Sequence, residues 1–514
     1  INTTYETAKS YRDEVSSERF YINPSFLFKL SNKTEILLEG DFLKDNRTND
    51  YGTGAVNYEL ANVPRNRFLG AKWSNVNTVQ KGATATISHR FNERWEIKST
   101  SAVQDYSNDL FSTTRPNASN NFVKADGKWI RGVQRTQINE NYYISQLDLT
   151  GKFSTGSVKH AVLFGADADK YNTATTAYTN IAKYDSINIY DLNMYKQRND
   201  IPNLDTNTLT KAPISRTGIY IQDLISITEK LKVLAGARFT YIETSSNVYT
   251  AKTKATTEAK NFDGAVTPRF GLVYQPKKYI SIFASYANSF TLNTGVDING
   301  KPLAPSFIDQ YEAGIKNDLF KGLLSANLTV YQIKNSGLAQ QSLENGNTNA
   351  NIKELAGEVT SKGLEVDIMS KPIHGFSFLA GYSYNETRYT KSNIYIIGSL
   401  LRYNPNHTAN ASAYYTFPKN TFMKGFNVGL NATYIGERQA GRSTRLTINN
   451  DAYKLISLRD YTLLDFSAGY AKGQYSIRAK VSNLSNELNY NAHDDNSINP
   501  IAPRMFFATL AYKL

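Results

Sequence analysis

Cysteine is absent from the 514 residues, so no disulfide framework or thiol chemistry is available, and the redox character of the compartment is left unmarked. Histidine is scarce. The five, at His89, His160, His374, His407 and His493, are widely spaced, and none forms a His-x-x-x-His or similar ligand pair. Their default role is hydrogen bonding at interfaces or in a polar interior. No apolar run approaches the roughly 18 residues of a membrane-spanning helix, and mean hydropathy is −0.45. Basic runs are missing too. The net charge of +13 comes from scattered Lys and Arg, whereas a nucleic-acid binder needs a basic stripe. A positive surface that attracts anionic ligands or lipopolysaccharide fits better. No ordering of Ser, His and Asp suggests a hydrolase, so no enzyme is expected. Asp494-Asp495 reads as a solvated pair before it reads as a cation site. No signal-peptide pattern opens the chain at Ile1.

Aromatics are abundant instead: 35 Tyr and 25 Phe. Near the C-terminus, Phe506, Ala508, Leu510, Tyr512 and Leu514 alternate with Thr509, Ala511 and Lys513. A strand sends successive side chains to opposite faces, so this one is apolar on one side and mostly polar on the other. It is expected to pair with the start of the chain or to lie at an edge. The pattern recurs at 231–241, 324–330, 427–434 and 475–482, with Arg238, Arg478 and Lys480 in mid-strand on the polar side. Unpaired charge is costly in a dry core, so a wet or protein-filled lumen is expected. Connections alternate in length. Short ones fall at 32–33, 92–93, 154–156, 276–278, 321–322 and 473–474. Long ones are expected at about 46–79, 107–141, 172–214, 246–261, 291–307, 336–357, 437–460 and 483–504. The 107–141 segment is long enough to suggest a functional or folded loop. The reading is an all-β, transmembrane antiparallel outer-membrane β-barrel of about 20 strands, with short turns on one side and long loops on the other.

Seven stretches then stand in one order along the chain. They are Gly218-Ile219-Tyr220-Ile221-Gln222-Asp223 with Leu234-Ala235-Gly236-Ala237-Arg238; Thr267-Pro268-Arg269-Phe270-Gly271; and Ala284-Ser285-Tyr286-Ala287-Asn288-Ser289-Phe290. After these come Gly300-Lys301-Pro302-Leu303-Ala304-Pro305, Gln310-Tyr311-Glu312-Ala313-Gly314-Ile315-Lys316, Ser361-Lys362-Gly363-Leu364-Glu365-Val366 and Asn483-Leu484-Ser485-Asn486. In this order the chain resembles the barrel of TonB-dependent siderophore receptors, especially the ferrichrome and ferric hydroxamate type. Each stretch alone is weak; the series across nearly the whole chain is specific.

The resemblance implies a 22-strand barrel filled by an N-terminal plug that carries the TonB contact. It implies that residues 1–514 are the barrel domain, with plug and first two strands absent. It also implies outer-membrane import of a ferric siderophore of the hydroxamate type. Expected partners are that complex, TonB through the plug, and outer-membrane lipid and lipopolysaccharide, with the receptor a monomer. The iron complex is cargo, and no cofactor is expected. Other ligands, such as cobalamin or a glycan, and a passive porin stay open as alternatives. In ferrichrome-type receptors one loop carries Tyr-Gly-Trp; here Asp50-Tyr51-Gly52-Thr53 keeps the Tyr and has Thr53 in place of Trp, which speaks against ferrichrome itself. Aromatic walls suit a compact, partly apolar complex. The expected ligand contacts are Tyr51, Trp73, Tyr106, Phe111, Trp129, Tyr171, Tyr178 and Phe290. Arg131 and Arg135 are expected to be solvated in a loop. Arg238, Arg269, Glu365, Arg478 and Lys480 are expected to face the lumen and a plug.

Overall fold

In the computed structural model, the described residues are all but 118–120, 345–346, 348, 350–351, 447, 449–450, 452–453, 493–497 and 514. His493, Asp494, Asp495 and Leu514 therefore lie outside the described residues. Among the described residues, twenty-three strands carry the main ladders, and six more form three separate two-stranded hairpins. Ser25–Lys29 continues Ser16–Asn23 past Pro24, and the short strands Ile181–Asn188 and Thr206–Lys211 pair onto the outer ends of longer ones. Setting those three aside leaves twenty legs, the number expected from the hydropathy pattern. The break at Pro24 is local chemistry. Proline has no N–H for the ladder, and its carbonyl accepts from Gly40 N at 2.9 Å instead.

The chain divides into two compact units. The first comprises Ile1–Ile227, Val233–Phe270 and Phe290–Pro305. In it Thr34–Thr48 pairs with Asn75–Arg90, then Trp95–Thr113, Lys128–Thr155, Val158–Tyr178 and Ile214–Ser226 follow in antiparallel succession. The second comprises Thr228–Lys232, Gly271–Ser289 and Ser306–Leu514. In it Ser306–Leu319, Leu324–Gln341, Lys353–Ser370, Phe376–Lys391, His407–Thr416, Phe426–Ile435, Tyr461–Lys472, Tyr475–Ser482 and Met505–Tyr512 pair in turn.

Short turns do alternate with longer connections, but the strands are longer than hydropathy suggested. Lys128–Thr155 has 28 residues, whereas a tilted strand crosses a bilayer in about 9–11. The connection expected at 107–141 shrinks to 114–127, and the one at 246–261 to 251–254. Beyond the apolar zone the backbone pairing persists, as in Ala174-Thr175-Thr176-Ala177 opposite Thr136 to Asn139. The alternation that marks a half-buried strand is lost there although the strand continues.

Side chains sort by face as the period of two requires. Ile219 and Ile221 are 62% and 50% exposed, while between them Tyr220 donates to Asp148 on the polar side. The polar face is not left unpaired. Arg238 grips Asp167 through Nη1 and Nη2 at 2.6 and 2.8 Å, and Lys480 reaches Asp465 at 2.8 Å. Of the residues expected to meet a plug, Arg238 and Lys480 are thus already engaged with carboxylates of their own wall.

We expect Leu328→Arg, on the exposed apolar face six residues beyond the turn at Phe320–Gly322, to cost about 2–4 kcal/mol in a bilayer. Thr329→Arg, one residue on and cross-strand from Glu365, should cost under about 1 kcal/mol. Reversible urea unfolding in phospholipid bilayers measures both, and equal penalties would contradict the facing.

Candidate ligand-binding site

The buried apolar side chains of the first unit gather in its long connections. Ala61, Leu69, Val123, Trp129, Ile187 and Ile189 form one cluster, with Val56, Val63 and Leu192 against it. It joins residues from the connections 49–74, 114–127 and 179–213 to the outer ends of Lys128–Thr155 and Ile181–Asn188. Trp129, expected to touch ligand, is only 1% exposed. Its indole Nε1 has no hydrogen-bond partner among the described residues. It is a packing residue of this small core.

Arg131 corrects the expectation of a solvated loop residue. Its side chain is 1% exposed and that of Asp185 3%. Arg131 Nε donates to Asp185 Oδ1 at 2.7 Å, Nη2 donates to Asp185 Oδ2, and Nη1 donates to the carbonyls of Leu69 and Gly70 at 3.2 and 2.7 Å. One guanidinium therefore ties three segments together. A second does similar work nearer the chain start. Arg12 pairs with Asp50 at 2.7 and 3.2 Å and donates to Arg65 O at 2.9 Å.

An aromatic layer adjoins this core. The Trp73 ring meets Phe111 at 5.1 Å and Tyr184 at 5.9 Å, both edge-on. Trp73 Nε1 donates to Tyr184 Oη at 3.1 Å, and that hydroxyl donates to Asp200 O at 2.6 Å. Arg198 stands 4.5 Å over the Tyr184 ring. Burial pushes the Tyr184 phenol up from its ordinary pKa, against the opposing bond from Trp73. Arg135 lies 5.1 Å over Phe111 and 5.0 Å over Tyr178. It is fixed by Asp109 through Nε at 3.0 Å and Nη2 at 2.7 Å. Asp109 is the fifteenth residue of its strand, beyond a membrane crossing of about 9–11. Burial alone would raise its pKa, but bonds from Arg135 and Gln137 outweigh it and hold the carboxyl below its ordinary value. Gln137 also accepts from Tyr178 Oη at 2.8 Å.

Among the expected contacts, Trp73, Phe111 and Tyr178 are thereby brought together through Arg135. Tyr51 is half-buried nearby in sequence register: its hydroxyl accepts from Gln134 Nε2 at 2.6 Å. Thr53, where the resembled family carries Trp, is 1% exposed. Tyr171 packs edge-on against Tyr142 at 6.2 Å. Tyr106 lies opposite Gln80 and Glu140 in the ladders, and Phe290 is half-buried near the end of Ile280–Thr291. Sequence reasoning missed Tyr184, Asp109, Gln134 and Gln137. The alternation of Ile187 and Ile189 about Asn188 was a readable signal for a strand packed inside the loop layer; the ion pairs left none. Among the described residues no group of three His, Asp or Glu side chains could hold a metal ion.

Removing one partner of a buried ion pair strands the other charge, a cost of about 3–5 kcal/mol. Asp185→Ala should therefore loosen the loop layer. Limited trypsin digestion is expected to cut within 179–213 at least tenfold faster, while the strand ladders stay protected. Double replacement, Arg131→Met with Asp185→Leu, should restore much of the resistance. Unchanged cleavage in Asp185→Ala would remove Arg131 from its organising role.

The chain matches the family described as TonB dependent receptor-like, beta-barrel, over residues 22–484. It is 27% identical over 465 residues to the metal-pseudopaline receptor CntO of Pseudomonas aeruginosa, covering 89% of this chain and 64% of that protein. It is 24% identical over 505 residues to the ferrioxamine B receptor of Salmonella typhimurium, covering 94% and 65%. The chain thus spans just under two thirds of these relatives. Its fold matches the siderophore receptor PiuA of Acinetobacter baumannii with a TM-score of 0.84 at 20% identity, over 99% of this chain and 76% of that one. It also matches the ferric-catecholate import receptor Fiu of E. coli, with a TM-score of 0.85 at 17% identity over 99% and 77%. The fold is the outer-membrane β-barrel, and the chain belongs to the TonB-dependent receptor β-barrel family.

Proposed function

We propose that the protein imports a ferric siderophore across the outer membrane in a TonB-dependent way. The aromatic layer of Trp73, Phe111, Tyr178 and Tyr184 around Arg135 carries this reading. Flat rings with few fixed polar groups suit a compact chelate whose exterior is largely apolar. Arg135 is neutralised by Asp109 and offers a cationic plane for stacking without an unbalanced charge. That balance favours a near-neutral chelate, as a ferric hydroxamate is. The ferrioxamine B receptor among the relatives is in keeping with it.

In this reading the outer connections capture the complex, a plug domain couples to TonB, and the iron complex passes as cargo. No catalysis on the ligand and no resident cofactor is involved. The receptor acts as a monomer among lipid and lipopolysaccharide. Its exposed apolar faces, such as Phe506 and Leu510, each 76% exposed, meet the acyl chains.

The test is intrinsic-fluorescence quenching of the full-length protein by ferric hydroxamates, catecholates and citrate, with cobalamin and maltodextrin as controls. A hydroxamate should bind most tightly, and Trp73→Ala and Tyr51→Ala should each weaken it by about tenfold, the scale of one aromatic contact. Uptake of radiolabelled iron should vanish in a host lacking TonB. A response confined to cobalamin or sugar would overturn the siderophore reading.

A further inference from the structure

In an antiparallel meander alternate connections fall at the same edge. In the second unit 228–230, 278–279, 320–323, 371–375, 417–425 and 473–474 therefore share one edge with the strand end at Tyr512. Backbone hydrogen bonds join them in order. Gln275 N donates to Lys230 O at 2.7 Å, Asp318 N to Tyr279 O at 2.9 Å and Lys371 N to Leu323 O at 2.8 Å. Thr416 N then donates to Gly375 O at 2.8 Å, Ala471 N to Gly425 O at 2.9 Å and Lys513 N to Gln474 O at 2.8 Å. The turns form one continuous edge of this unit.

Lysines and apolar side chains alternate along it. Lys277 and Lys278 stand beside Tyr279, Lys321 beside Phe320, and Lys371 two residues from Ile373, all exposed. Lys419 and Lys424 flank Phe422, which is 97% exposed. Lys472 is the cross-strand partner of Tyr475, whose ring meets that of Tyr512 at 4.9 Å beside Lys513. With Lys230 this makes nine exposed lysines against two carboxylates, Glu229 and Asp318. The ion-paired lysines of this unit, Lys334, Lys391 and Lys480, lie away from these turns, and among the described residues none of the nine is ion-paired. The long connections 342–352, 392–406, 436–460 and 483–504 differ: they carry seven basic and seven acidic residues, and six of the basic ones are arginine.

Unpaired ammonium groups in a row repel one another, so the edge is favoured where anions lie against it. A soluble acidic partner would answer the lysines and leave Phe422 in water. A membrane interface answers both, since aromatic rings settle at headgroup level and lysine stems lie along apolar surface with the charge at the phosphates. We propose that this edge binds the headgroups of anionic phospholipids in the periplasmic leaflet, which the short turns of such barrels meet. The inference stands on the barrel alone and is independent of what the receptor imports.

The experiment places the full-length protein in phosphatidylcholine bilayers. Electron spin resonance then compares its association with spin-labelled phosphatidylglycerol and with spin-labelled phosphatidylcholine. Wild-type protein should prefer the anionic lipid by about fivefold, the scale of one lysine near such a surface, and about 1 M salt should abolish the preference. Replacing Lys277, Lys278, Lys321, Lys419 and Lys424 together by Gln should bring it to near unity. The same five replaced by Arg should keep it, and Lys454→Gln, in a long connection, should leave it unchanged. Heat-modifiable gel mobility checks folding of each variant. The emission added by Phe422→Trp should be quenched by phospholipid brominated near the top of its acyl chains. No anionic preference in wild type, a preference that survives the five Gln replacements, or unquenched emission from the Phe422→Trp variant would each overturn the proposal.

Discussion

Everything in this chain answers to one constraint. In hydrocarbon an unpaired backbone N–H or carbonyl costs several kcal/mol, so a spanning segment must satisfy its own polar groups. With no apolar run long enough for a helix, the chain meets that demand between strands. That is why the ladders run almost without interruption, from Thr34↔His89 to Thr48↔Asn75 and from Trp95↔Gly151 to Thr113↔Val133. The alternation of apolar and polar residues follows as the second consequence, since each strand then presents one face to lipid and one away from it. A wall only one sheet thick has no interior, so the buried apolar residues gather where chain can pile on chain, in the long connections.

Those connections pose the opposite problem. They leave the ladder and take with them carbonyls that no neighbouring strand will meet. Arginine resolves it repeatedly. Arg131 collects Leu69 and Gly70 carbonyls, Arg12 collects Arg65 O, and Arg438 donates to Arg459 O and Tyr490 O. A guanidinium has five donors on a rigid plane, so a single side chain can close several gaps. Arg438 is 6% exposed, and burial pushes its pKa down from the ordinary value. Its charge is stabilised by peptide dipoles and by the Tyr461 ring at 5.1 Å.

The fold was legible because the physics that creates it is periodic. Period-two alternation over 231–241 or 475–482 needs no knowledge of neighbours, and neither do the short turns between strands. What escaped was set by pairing at long sequence separation. Nothing near Arg131 marks Asp185, 54 residues on, as its partner, so it read as a solvated loop residue. Trp129 read as a ligand contact for the same reason: its neighbours Ile187 and Leu69 arrive from separate connections. Aromatic residues at strand tops are readable in the sequence as a population. Which of them pack inward and which face outward depends on loops whose course hydropathy does not encode. The expected extent of 107–141 as a connection failed where polar strands outrun the membrane, since the backbone ladder no longer leaves a side-chain signature.

The same arginine chemistry also shapes a surface. Where a guanidinium is matched by a carboxylate and laid over rings, as Arg135 is by Asp109 between Phe111 and Tyr178, the result is a flat platform with its charge balanced. Such a platform rewards shape and stacking and favours a ligand near neutrality. There the side chains are held by their neighbours before any ligand arrives, which lowers the ordering cost of binding. The buried Arg131–Asp185 pair belongs to that economy of order. Its net contribution to stability is small, because desolvation offsets attraction; what it supplies is one fixed course for connections that would otherwise have many.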